Sequence, residues 1–407
     1  MSKPCLCIVG LGYVGMPLAH AFAKAKYEVY GFDVNESRIS ELKSNKDRTN
    51  ELTEKELKNV TIEYSTDPEV IAKADVVILA IPTPVDEQNK PDLTLLMNAT
   101  KTVARHFKDG AIIVYESTVY PGVTEDLCGP ILAKESGGKP FKLGYSPERI
   151  NPGDKEHTVE KIMKIVAGED AETMATLAQL YGSIVKAGIH KAPSIKVAEM
   201  AKAIENAQRD INIAYMNEIA KFCNTLGITT KDVLDASKTK WNFLPFTPGL
   251  VGGHCIGVDP YYLLERAKTL GGEMPVVRTA RETNDGMVQY VAERIIKVLP
   301  PQSSILVLGQ TFKEDVPDDR NSKARDVVAL LQKSGCTVVT HDAELSPGSL
   351  PKGPFDAIIL LVPHRAYREM TPKNFKTLSK NPCLFYDIKS VFDHKEMESA
   401  GFTYMAL

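Results

Sequence analysis

Short apolar runs alternate with helical patterns over the first third of the chain. Four runs of four to six residues predict strands at Cys5–Val9, Val29–Phe32, Val76–Ile81 and Ile112–Tyr115. A helix is predicted between the first two, over Met16–Lys26. Strands and helices that alternate in this way are typical of βαβ units, which build a parallel sheet.

A different pattern begins near Lys196 and lasts to Leu226. Apolar residues recur there at intervals of three and four, and neither glycine nor proline interrupts them. The pattern predicts one long amphipathic helix, and a helix of this length often joins domains or packs against a second subunit.

The C-terminal part repeats the early plan, because the run from Asp356 to Pro363 is similar to the run from Asp75 to Pro82. Further elements are predicted at Ser303–Leu308, Ser322–Lys333, Val338–His341 and Leu384–Asp387. The expected fold class is therefore α/β, with two Rossmann-like domains of mostly parallel strands joined by a long central helix and a helical region. The expected domain boundaries are 1–194, 195–299 and 300–407.

Length and charge narrow the possible partners. A chain of 407 residues is too long for one hydrophobic core, and its net charge of -3 gives no reason to expect nucleic acid or a membrane as partner. The longest apolar runs have six residues, too few to span a bilayer, and the first predicted strand leaves no room for a signal peptide. The seven cysteines show no metal-ligand spacing, so we expect no metal and a cytoplasmic location.

A glycine motif links the first predicted strand to the first helix. Gly10, Gly12 and Gly15 permit a tight turn, a close approach of pyrophosphate and close helix packing, respectively. Asp33 ends the next strand, where its carboxylate can accept both ribose hydroxyls and would repel a 2′-phosphate, which favours NAD over NADP. The alternative is a glycine turn without a ligand. The segment Gly309–Lys313 lacks the glycine triplet, and we expect it to bind something other than NAD.

The most informative segment surrounds Cys255. This cysteine lies in a glycine-rich loop, beside His254 and four residues before Asp259. Glycines let a substrate approach the backbone, which places the cysteine for nucleophilic attack. The alternative is a structural, buried cysteine, and the loop alone favours neither interpretation.

Two polar residues on the predicted long helix favour the catalytic interpretation. Lys202 and Asn206 are four positions apart and therefore share one helix face. A lysine beside an amide can hold an oxyanion or an ordered water. The alternative for this pair is a solvated polar face.

Other candidates lie at strand ends, where open α/β sheets bind ligands. Pro82 and Thr83 end the third predicted strand, and Thr118 follows the fourth, within reach of a nicotinamide or a water. Glu148 and Arg149 lie in a proline-rich loop, which is either a site or a rigid surface turn.

Taken together, these motifs resemble the UDP-glucose/GDP-mannose dehydrogenase family along essentially the whole chain. The matching motifs, in order, are the glycine motif, the Ser-Thr-Val-x-Pro-Gly turn, the Ser-Pro-Glu-Arg loop, the Lys/Asn helix, the Gly-Gly-x-Cys loop and the Thr-Phe-Lys segment. The resemblance implies an NAD-dependent enzyme that oxidises the C6 alcohol of a UDP-sugar to a carboxylate. It also implies a homodimer that forms on the long helix.

The resemblance implies a role for each matching residue. Cys255 would be the nucleophile, with Lys202 and Asn206 stabilising the oxyanion and Asp259 assisting proton transfer. Glu148 and Thr118 would assist the water that hydrolyses a thioester. Contacts with NAD are expected at Gly10, Gly12, Tyr13, Val14, Gly15, Asp33, Arg38, Pro82, Thr83 and Thr118. Contacts with the substrate are expected at Glu148, Arg149, Lys202, Asn206, Gly249, Gly252, Gly253, Lys313 and Arg320.

The implied chemistry explains why a thiol is needed. Oxidation from aldehyde to acid requires a tetrahedral adduct that can lose hydride, and a thiolate at Cys255 would form it as a thiohemiacetal before a thioester. A cation at Lys202 would favour that thiolate electrostatically.

The preferred sugar is a finer question. Val258 stands where the UDP-glucose branch usually has a lysine, and the segment from His254 to Tyr262 resembles the branch that acts on UDP-N-acetylhexosamines. UDP-N-acetylglucosamine is the first choice, while the galactosamine and mannosamine epimers stay open and UDP-glucose is the alternative. The product is expected to serve the synthesis of a surface polysaccharide or glycan.

Two other functions compete with this one. A two-electron β-hydroxyacid dehydrogenase also couples a Rossmann domain to a helix bearing lysine and asparagine, but it needs neither the cysteine nor a second α/β domain. A regulator that binds NAD without chemistry is the third possibility.

Overall fold

The structure is a computed structural model that describes residues 3–149 and 159–407. The first unit of the chain consists of Met1–Glu205 and Tyr261–Gly271, and the second unit consists of Asn206–Pro260 and Gly272–Leu407. The division into three domains after residues 194 and 299 stays a prediction. In the two described ranges, no helix is both long and apolar enough to cross a bilayer.

A mostly parallel sheet forms the centre of the first unit. Its strands, within the described residues, are β1 (Leu6–Val9), β2 (Val29–Phe32), β3 (Glu63–Ser65), β4 (Val76–Leu79), β5 (Ala111–Tyr115), β6 (Phe141–Tyr145), β7 (Lys164–Gly168) and β8 (Ile189–Lys191). Their order is β3-β2-β1-β4-β5-β6-β7-β8, and only the β6–β7 pair is antiparallel.

Helices cover this sheet. They are α1 (Gly15–Lys24), α2 (Glu36–Lys43), α3 (Glu54–Lys58), α4 (Thr94–His106), α5 (Gly129–Glu135) and α6 (Ala171–Gly182), with a 3-10 turn at Pro68–Lys73 and a π-helical turn at Val123–Cys128. The first helix buries Met16, Ala19 and Phe22, which recur at the spacing of one helix face and join the core beneath the sheet.

The order of strands in this sheet reverses beside β1. The glycine motif follows β1, whereas Pro82 and Thr83 follow the neighbouring strand β4. Both segments therefore lie at the carboxyl edge of the sheet, at the crevice where open α/β sheets bind ligands.

The second unit contains a smaller sheet in which every strand pair is parallel. Its strands, in the described part of the chain, are β9 (Ser304–Leu308), β10 (Thr337–His341), β11 (Phe355–Leu360), β12 (Ser379–Asp387) and β13 (Phe402–Ala406), arranged β10-β9-β11-β12-β13. Strand order again reverses beside the first strand, β9. These two sheets and the long helix described next confirm the predicted α/β class.

The long predicted helix is present as α7 (Ile195–Leu226) and continues from the first unit into the second. The later helices are α8 (Thr230–Lys238), α9 (Asp259–Thr269), α10 (Pro275–Asp285), α11 (Met287–Val298), α12 (Lys323–Lys333), α13 (Arg365–Arg368), α14 (Pro372–Lys376) and α15 (His394–Ser399).

One face of α7 is polar and yet buried. Its members recur at helical spacing, and each is less than a tenth exposed: Glu199, Lys202, Asn206, Asp210 and Asn217. We call these five residues the polar stripe. A buried polar group without a partner costs about 1–3 kcal/mol, so a stripe of this kind requires specific partners.

Those partners are loops and neighbouring helices. In the first unit, the carboxylate of Glu199 accepts the backbone N–H of Gly122 at 2.5 Å and that of Thr124 at 2.9 Å. In the second unit, Asp210 accepts Arg281 Nη1 at 2.6 Å and Asn284 Nδ2 at 2.7 Å. The stripe therefore fixes loop backbone as well as side chains.

Glu199 should make stability depend on pH. Burial raises its pKa to about 7, against the two amide hydrogen bonds that favour its ionised form. Between its ordinary pKa of 4.5 and that value, the folded state holds a proton that the unfolded state has lost, so this residue's contribution to stability falls as pH rises.

The variant Glu199→Gln removes that titration. From pH 4.5 to 7, we expect the free energy of unfolding of the variant, relative to the wild-type protein, to rise by up to about 3 kcal/mol. Urea unfolding across this pH range measures the difference, with the exposed Glu172→Gln as control. Parallel pH profiles for wild type and Glu199→Gln would contradict the assignment.

Candidate active site

The glycine motif forms a turn that glycine alone can occupy. A Cβ on Gly15 would lie 1.8 Å from the carbonyl oxygen of Gly10, and Gly10 itself has a φ of +90°. Beside Gly12, by contrast, no atom of the described residues lies within 4 Å of the place that a Cβ would take. Tyr13 and Val14 complete the turn, which leaves open space for a phosphate at the amino terminus of α1.

Two charged residues brace this turn. One carboxylate oxygen of Asp33 accepts the backbone N–H of Leu11 at 2.9 Å, and the other accepts that of Asn35 at 2.9 Å. The guanidinium of Arg38 is buried, donates to the carbonyl oxygen of Leu11 at 2.8 Å and pairs with Asp47 at 2.8 Å. Asp33 keeps oxygen lone pairs for a ribose, whereas the contact of Arg38 with the cofactor stays a prediction.

Hydrogen bonds join the ends of β4 and β5. The hydroxyl of Thr83 donates to the backbone carbonyl oxygen of Thr118 at 2.7 Å. The hydroxyl of Tyr262 donates to the backbone carbonyl oxygen of Thr83 at 2.8 Å. Pro82 is exposed beside them. Three of the predicted cofactor contacts therefore lie together at one edge of the sheet.

Glu148 belongs to a buried cluster of charges that the sequence did not reveal. Lys164 Nζ donates to Glu116 at 2.8 Å and to Glu148 at 3.3 Å. The hydroxyl of Tyr181 donates to the second oxygen of Glu116 at 2.5 Å. No sequence motif adjoins Lys164, so motifs do not identify it as a site residue. The sequence shows only that this lysine begins an apolar run, Lys164–Gly168, which forms a strand.

Arg149 is held on several sides by protein groups. Its guanidinium pairs with Glu205 at 2.7 Å and donates to the carbonyl oxygen of Met163 at 2.7 Å. The remainder of the proline-rich loop, from residue 150 to residue 158, lies outside the described residues.

The Cys255 loop is a turn that leads directly into α9. The carbonyl oxygen of Cys255 accepts the N–H groups of Val258 at 3.1 Å and Asp259 at 2.8 Å, and the cysteine is half-buried. Asp259 is the first residue of the helix, is buried, and accepts Asn206 Nδ2 at 2.5 Å. The structure therefore joins two predicted catalytic residues through one short hydrogen bond, in the second unit that also contains Cys255.

Three predicted substrate glycines are packed against protein. A Cβ on Gly252 would lie 2.5 Å from the carbonyl oxygen of Asn321, and one on Gly253 would lie 2.6 Å from the ring of Phe312. Asn217 accepts the N–H of Gly249 at 2.8 Å and donates to its carbonyl oxygen at 3.0 Å. Asn217 therefore holds the start of the Cys255 loop, a role that its position three helical turns after Asn206 could have indicated.

The side chains near the β9 edge form their own contacts. Arg320 is exposed and pairs with Asp318 through two nitrogens, at 3.0 and 2.6 Å. His254 packs edge-on against Phe312, and burial together with the charge of Arg320 lowers the pKa of this histidine. Lys313 is half-buried in the same segment.

The second sheet places an aspartate where the first has Asp33, but uses it differently. Asp342 follows β10 and accepts the N–H groups of Gln310 at 2.5 Å, Thr311 at 3.0 Å and Glu344 at 2.9 Å. It also lies 3.1 Å from His364 Nε2. Its oxygens are thus engaged by the protein, which agrees with the prediction that this half binds something other than NAD.

Among residues 3–149 and 159–407, one group of side chains has the ligand types and spacing of a metal site. Ligand atoms of Asp315, Glu344 and His364 lie within 4.8 Å of one another. However, Nδ1 of His364 accepts the N–H of Asp315 at 2.9 Å, and Nε2 faces Asp342 at 3.1 Å. Both ring nitrogens are therefore engaged by protein atoms, and neither is available to a metal.

The predicted catalytic residues are shared between the units. Thr118, Glu148 and Lys202 belong to the first unit, and Lys202 is buried. The second unit contains the residues of the helix and of the Cys255 loop: Asn206, Cys255 and Asp259.

Three family models match the chain in succession. Residues 5–185 match the NAD binding domain of the UDP-glucose/GDP-mannose dehydrogenase family, 196–286 its central domain and 306–394 its UDP binding domain. These matches confirm NAD as the cofactor and a UDP-binding region in the C-terminal part.

Similar proteins cover nearly the full length. Protein CapL of Staphylococcus aureus is 49% identical over 96% of this chain and 97% of its own. The UDP-N-acetyl-D-glucosamine 6-dehydrogenase of Pseudomonas aeruginosa is 44% identical, over 97% and 98%. The solved structure of a UDP-D-ManNAc dehydrogenase from Pyrococcus horikoshii superposes with a TM-score of 0.90 at 28% identity, over 98% of both chains. This chain therefore belongs to the UDP-glucose/GDP-mannose dehydrogenase family and is an NAD-dependent oxidoreductase of nucleotide sugars.

Proposed function

We propose that this protein oxidises the C6 alcohol of a UDP-N-acetylhexosamine to a carboxylate, with UDP-N-acetylglucosamine as the first-choice substrate. The observation that carries the proposal is the Cys255 loop, where Asp259 is hydrogen-bonded to Asn206 of the long helix. The thiol supplies a nucleophile, the carboxylate supplies a proton acceptor, and the amide supplies a hydrogen-bond donor to the oxyanion. The name of the Pseudomonas relative supports the choice of sugar, and the product would serve surface polysaccharide or glycan synthesis.

The first unit provides the cofactor site. Bound NAD⁺ supplies the acceptor for hydride in both oxidation steps. Gly12 leaves room for its pyrophosphate, Asp33 accepts its ribose hydroxyls, and Thr118 lies at the adjoining edge of the sheet. Tyr13, Val14 and Arg38 would complete this site.

Cys255 would carry the sugar between the two oxidations. Its thiolate adds to the aldehyde carbon and forms a carbon–sulfur bond, which gives a thiohemiacetal that is then oxidised to a thioester. One amide hydrogen of Asn206 is donated to Asp259. The second amide hydrogen would donate to the oxyanion, which the Lys202 ammonium would also stabilise. Asp259 would accept the proton that the C6 hydroxyl loses in the first oxidation, which gives the aldehyde.

Hydrolysis would release the acid from the enzyme. A water activated by Glu148, with help from Thr118, attacks the acyl carbon and returns Cys255 as a thiolate. The substrate would contact Arg149, Lys313, Arg320 and the glycines of the loop, namely Gly249, Gly252 and Gly253. We place the division into domains at 1–194, 195–299 and 300–407, so that the Cys255 loop falls in the central one.

A panel of UDP-sugars, followed by NADH absorbance, tests the proposed function. We expect UDP-N-acetylglucosamine to be oxidised with the highest kcat/KM, and about two NADH to form per sugar, because two hydrides leave one carbon. A ratio of about one would favour the two-electron alternative, and preference for UDP-glucose would overturn the choice of branch.

Removing the thiol tests the covalent step. Cys255→Ala should lower acid formation by at least about a thousandfold, since the aldehyde can no longer form a thioester. Cys336→Ala, which removes another half-buried thiol, is the matched control and should leave kcat unchanged. Normal uronate production by Cys255→Ala would show that another group carries the sugar.

The long helix supports the proposal of a homodimer. Apolar side chains project to water along one face of α7, at successive spacings of three, four, eleven, seven and four residues: Val197, Met200, Ile204, Tyr215, Phe222 and Leu226. An exposed apolar stripe of this length is unfavourable in water, and a second copy of the same helix would cover it.

A charge placed in the exposed apolar face of α7 should separate the subunits. Phe222→Glu, at a side chain that is 59% exposed, is expected to raise the dimer dissociation constant at least about a hundredfold. Light scattering after size exclusion measures the mass. Leu270→Glu, at an exposed apolar residue outside the helix, is the control and should remain dimeric. A monomeric wild-type protein would overturn the dimer.

A further inference from the structure

Lys164, Glu116, Glu148 and Tyr181 form the buried charged cluster of the first unit, which we call the Lys164 cluster. Each member comes from a different segment: Glu116 follows β5, Glu148 follows β6, Lys164 opens β7 and Tyr181 lies on α6. Glu116, Lys164 and Tyr181 are at most 4% exposed. The cluster therefore fixes the relative positions of three adjacent strands at their ligand-binding edge.

The hydrogen bonds in the cluster are unequal. Lys164 Nζ lies 2.8 Å from Glu116 and 3.3 Å from Glu148, so the deeper carboxylate has the shorter bond. Tyr181 donates to the other oxygen of Glu116, and the ring of Tyr181 lies 5.5 Å from Lys164 Nζ. The backbone N–H of Glu148 also faces the carbonyl oxygen of Glu116 at 3.4 Å.

One ammonium group thus serves two carboxylates. Burial opposes the charge of Lys164, but the two carboxylates outweigh it and hold the pKa of this lysine above its ordinary value. Burial raises the pKa of Glu116, and Lys164 opposes that shift. Because the cation is shared, a change at Glu116 alters how much of the positive charge acts on Glu148.

We propose that Lys164 is a positioning residue that orients the Glu148 carboxylate for its role as a base and faces it with a positive charge, while Glu116 sets the share of that charge that Glu148 receives. This inference rests on the proposed role of Glu148 in thioester hydrolysis. In that step the water oxygen bonds to the acyl carbon, the water proton passes to Glu148, and the carbon–sulfur bond breaks to return the Cys255 thiolate.

Arg149 also contacts Glu148. The backbone N–H of Arg149 donates to Glu148 at 2.6 Å, but its guanidinium is paired with Glu205 of α7. In the described residues, the charged and titratable groups that face Glu148 include Lys164, Glu116, Tyr181 and Arg149.

The test uses two variants with opposite expected effects. Lys164→Met leaves Glu148 beside the Glu116 carboxylate, so the pH at which hydrolysis reaches half its maximal rate should rise by at least about one unit. Glu116→Gln gives the whole cation to Glu148, so the same midpoint should fall. Acid-quenched mass spectrometry of the acyl-enzyme, after one turnover at each pH, measures the hydrolysis rate directly.

Accumulation of the acyl-enzyme provides a second readout. In Lys164→Met at neutral pH, hydrolysis should slow about tenfold to a hundredfold, with a burst of about two NADH per site before the steady state. The double variant Lys164→Met/Glu116→Gln leaves no unpaired buried carboxylate at position 116, and its midpoint should lie below that of Lys164→Met. Lys142→Met, at an exposed lysine on β6, is the control and should match wild type.

The outcomes separate this inference from the function on which it rests. If the wild-type protein forms no acyl-enzyme with any UDP-sugar, the proposed function fails. If it forms one, but the midpoints of Lys164→Met and Glu116→Gln shift in the same direction or not at all, the positioning role of Lys164 is wrong. A purely structural loss would slow both variants without moving their midpoints apart.

Discussion

The need to give the buried polar stripe of α7 hydrogen-bond partners determines much of the geometry of the site. A helix that buries carboxylates, amides and an ammonium must satisfy each of them, because a buried charge or dipole without a partner costs more than its packing contributes. Glu199 meets this requirement with loop amides after β5, Asn206 with Asp259, and Asn217 with both polar groups of Gly249. The hydrogen bonds that satisfy the helix therefore also fix the loop after β5 and the loop that contains Cys255, so one element serves both stability and the proposed site.

The two sheets show how one topology supports two kinds of binding. Both have a strand-order reversal beside the first strand, a glycine after it and an aspartate after the next strand. Asp33 uses two backbone amides and keeps acceptor capacity, whereas Asp342 receives several amides and a histidine. The difference arises from neighbours such as His364 and not from the aspartate itself, which is why the glycine triplet was the better guide to the nucleotide.

The sequence predicted the strands and residues that have a local signal. The apolar runs at β1, β2, β4 and β9 indicate buried parallel strands. The motif around Gly12 indicates the turn after β1, and the motif around Cys255 indicates the loop before α9. Strand β6 was not predicted because Lys142 and Gly144 interrupt its apolar residues, and strand β7 opens with a lysine. That lysine is tolerated in the sheet because Glu116 and Glu148 neutralise it. Such a pairing joins residues 48 and 16 positions apart, and no local pattern contains it.

The glycines illustrate the same limit from the other side. In the sequence, Gly12 and Gly253 look alike, as small residues that let a ligand approach. In the structure, the space beside Gly12 is open among the described residues, while the space beside Gly253 is taken by the Phe312 ring. Gly253 is required by its own unit, because a side chain there would displace an aromatic ring and with it the loop that carries Cys255. The absence of a side chain thus leaves open space at one position and permits the packing of the Cys255 loop at the other.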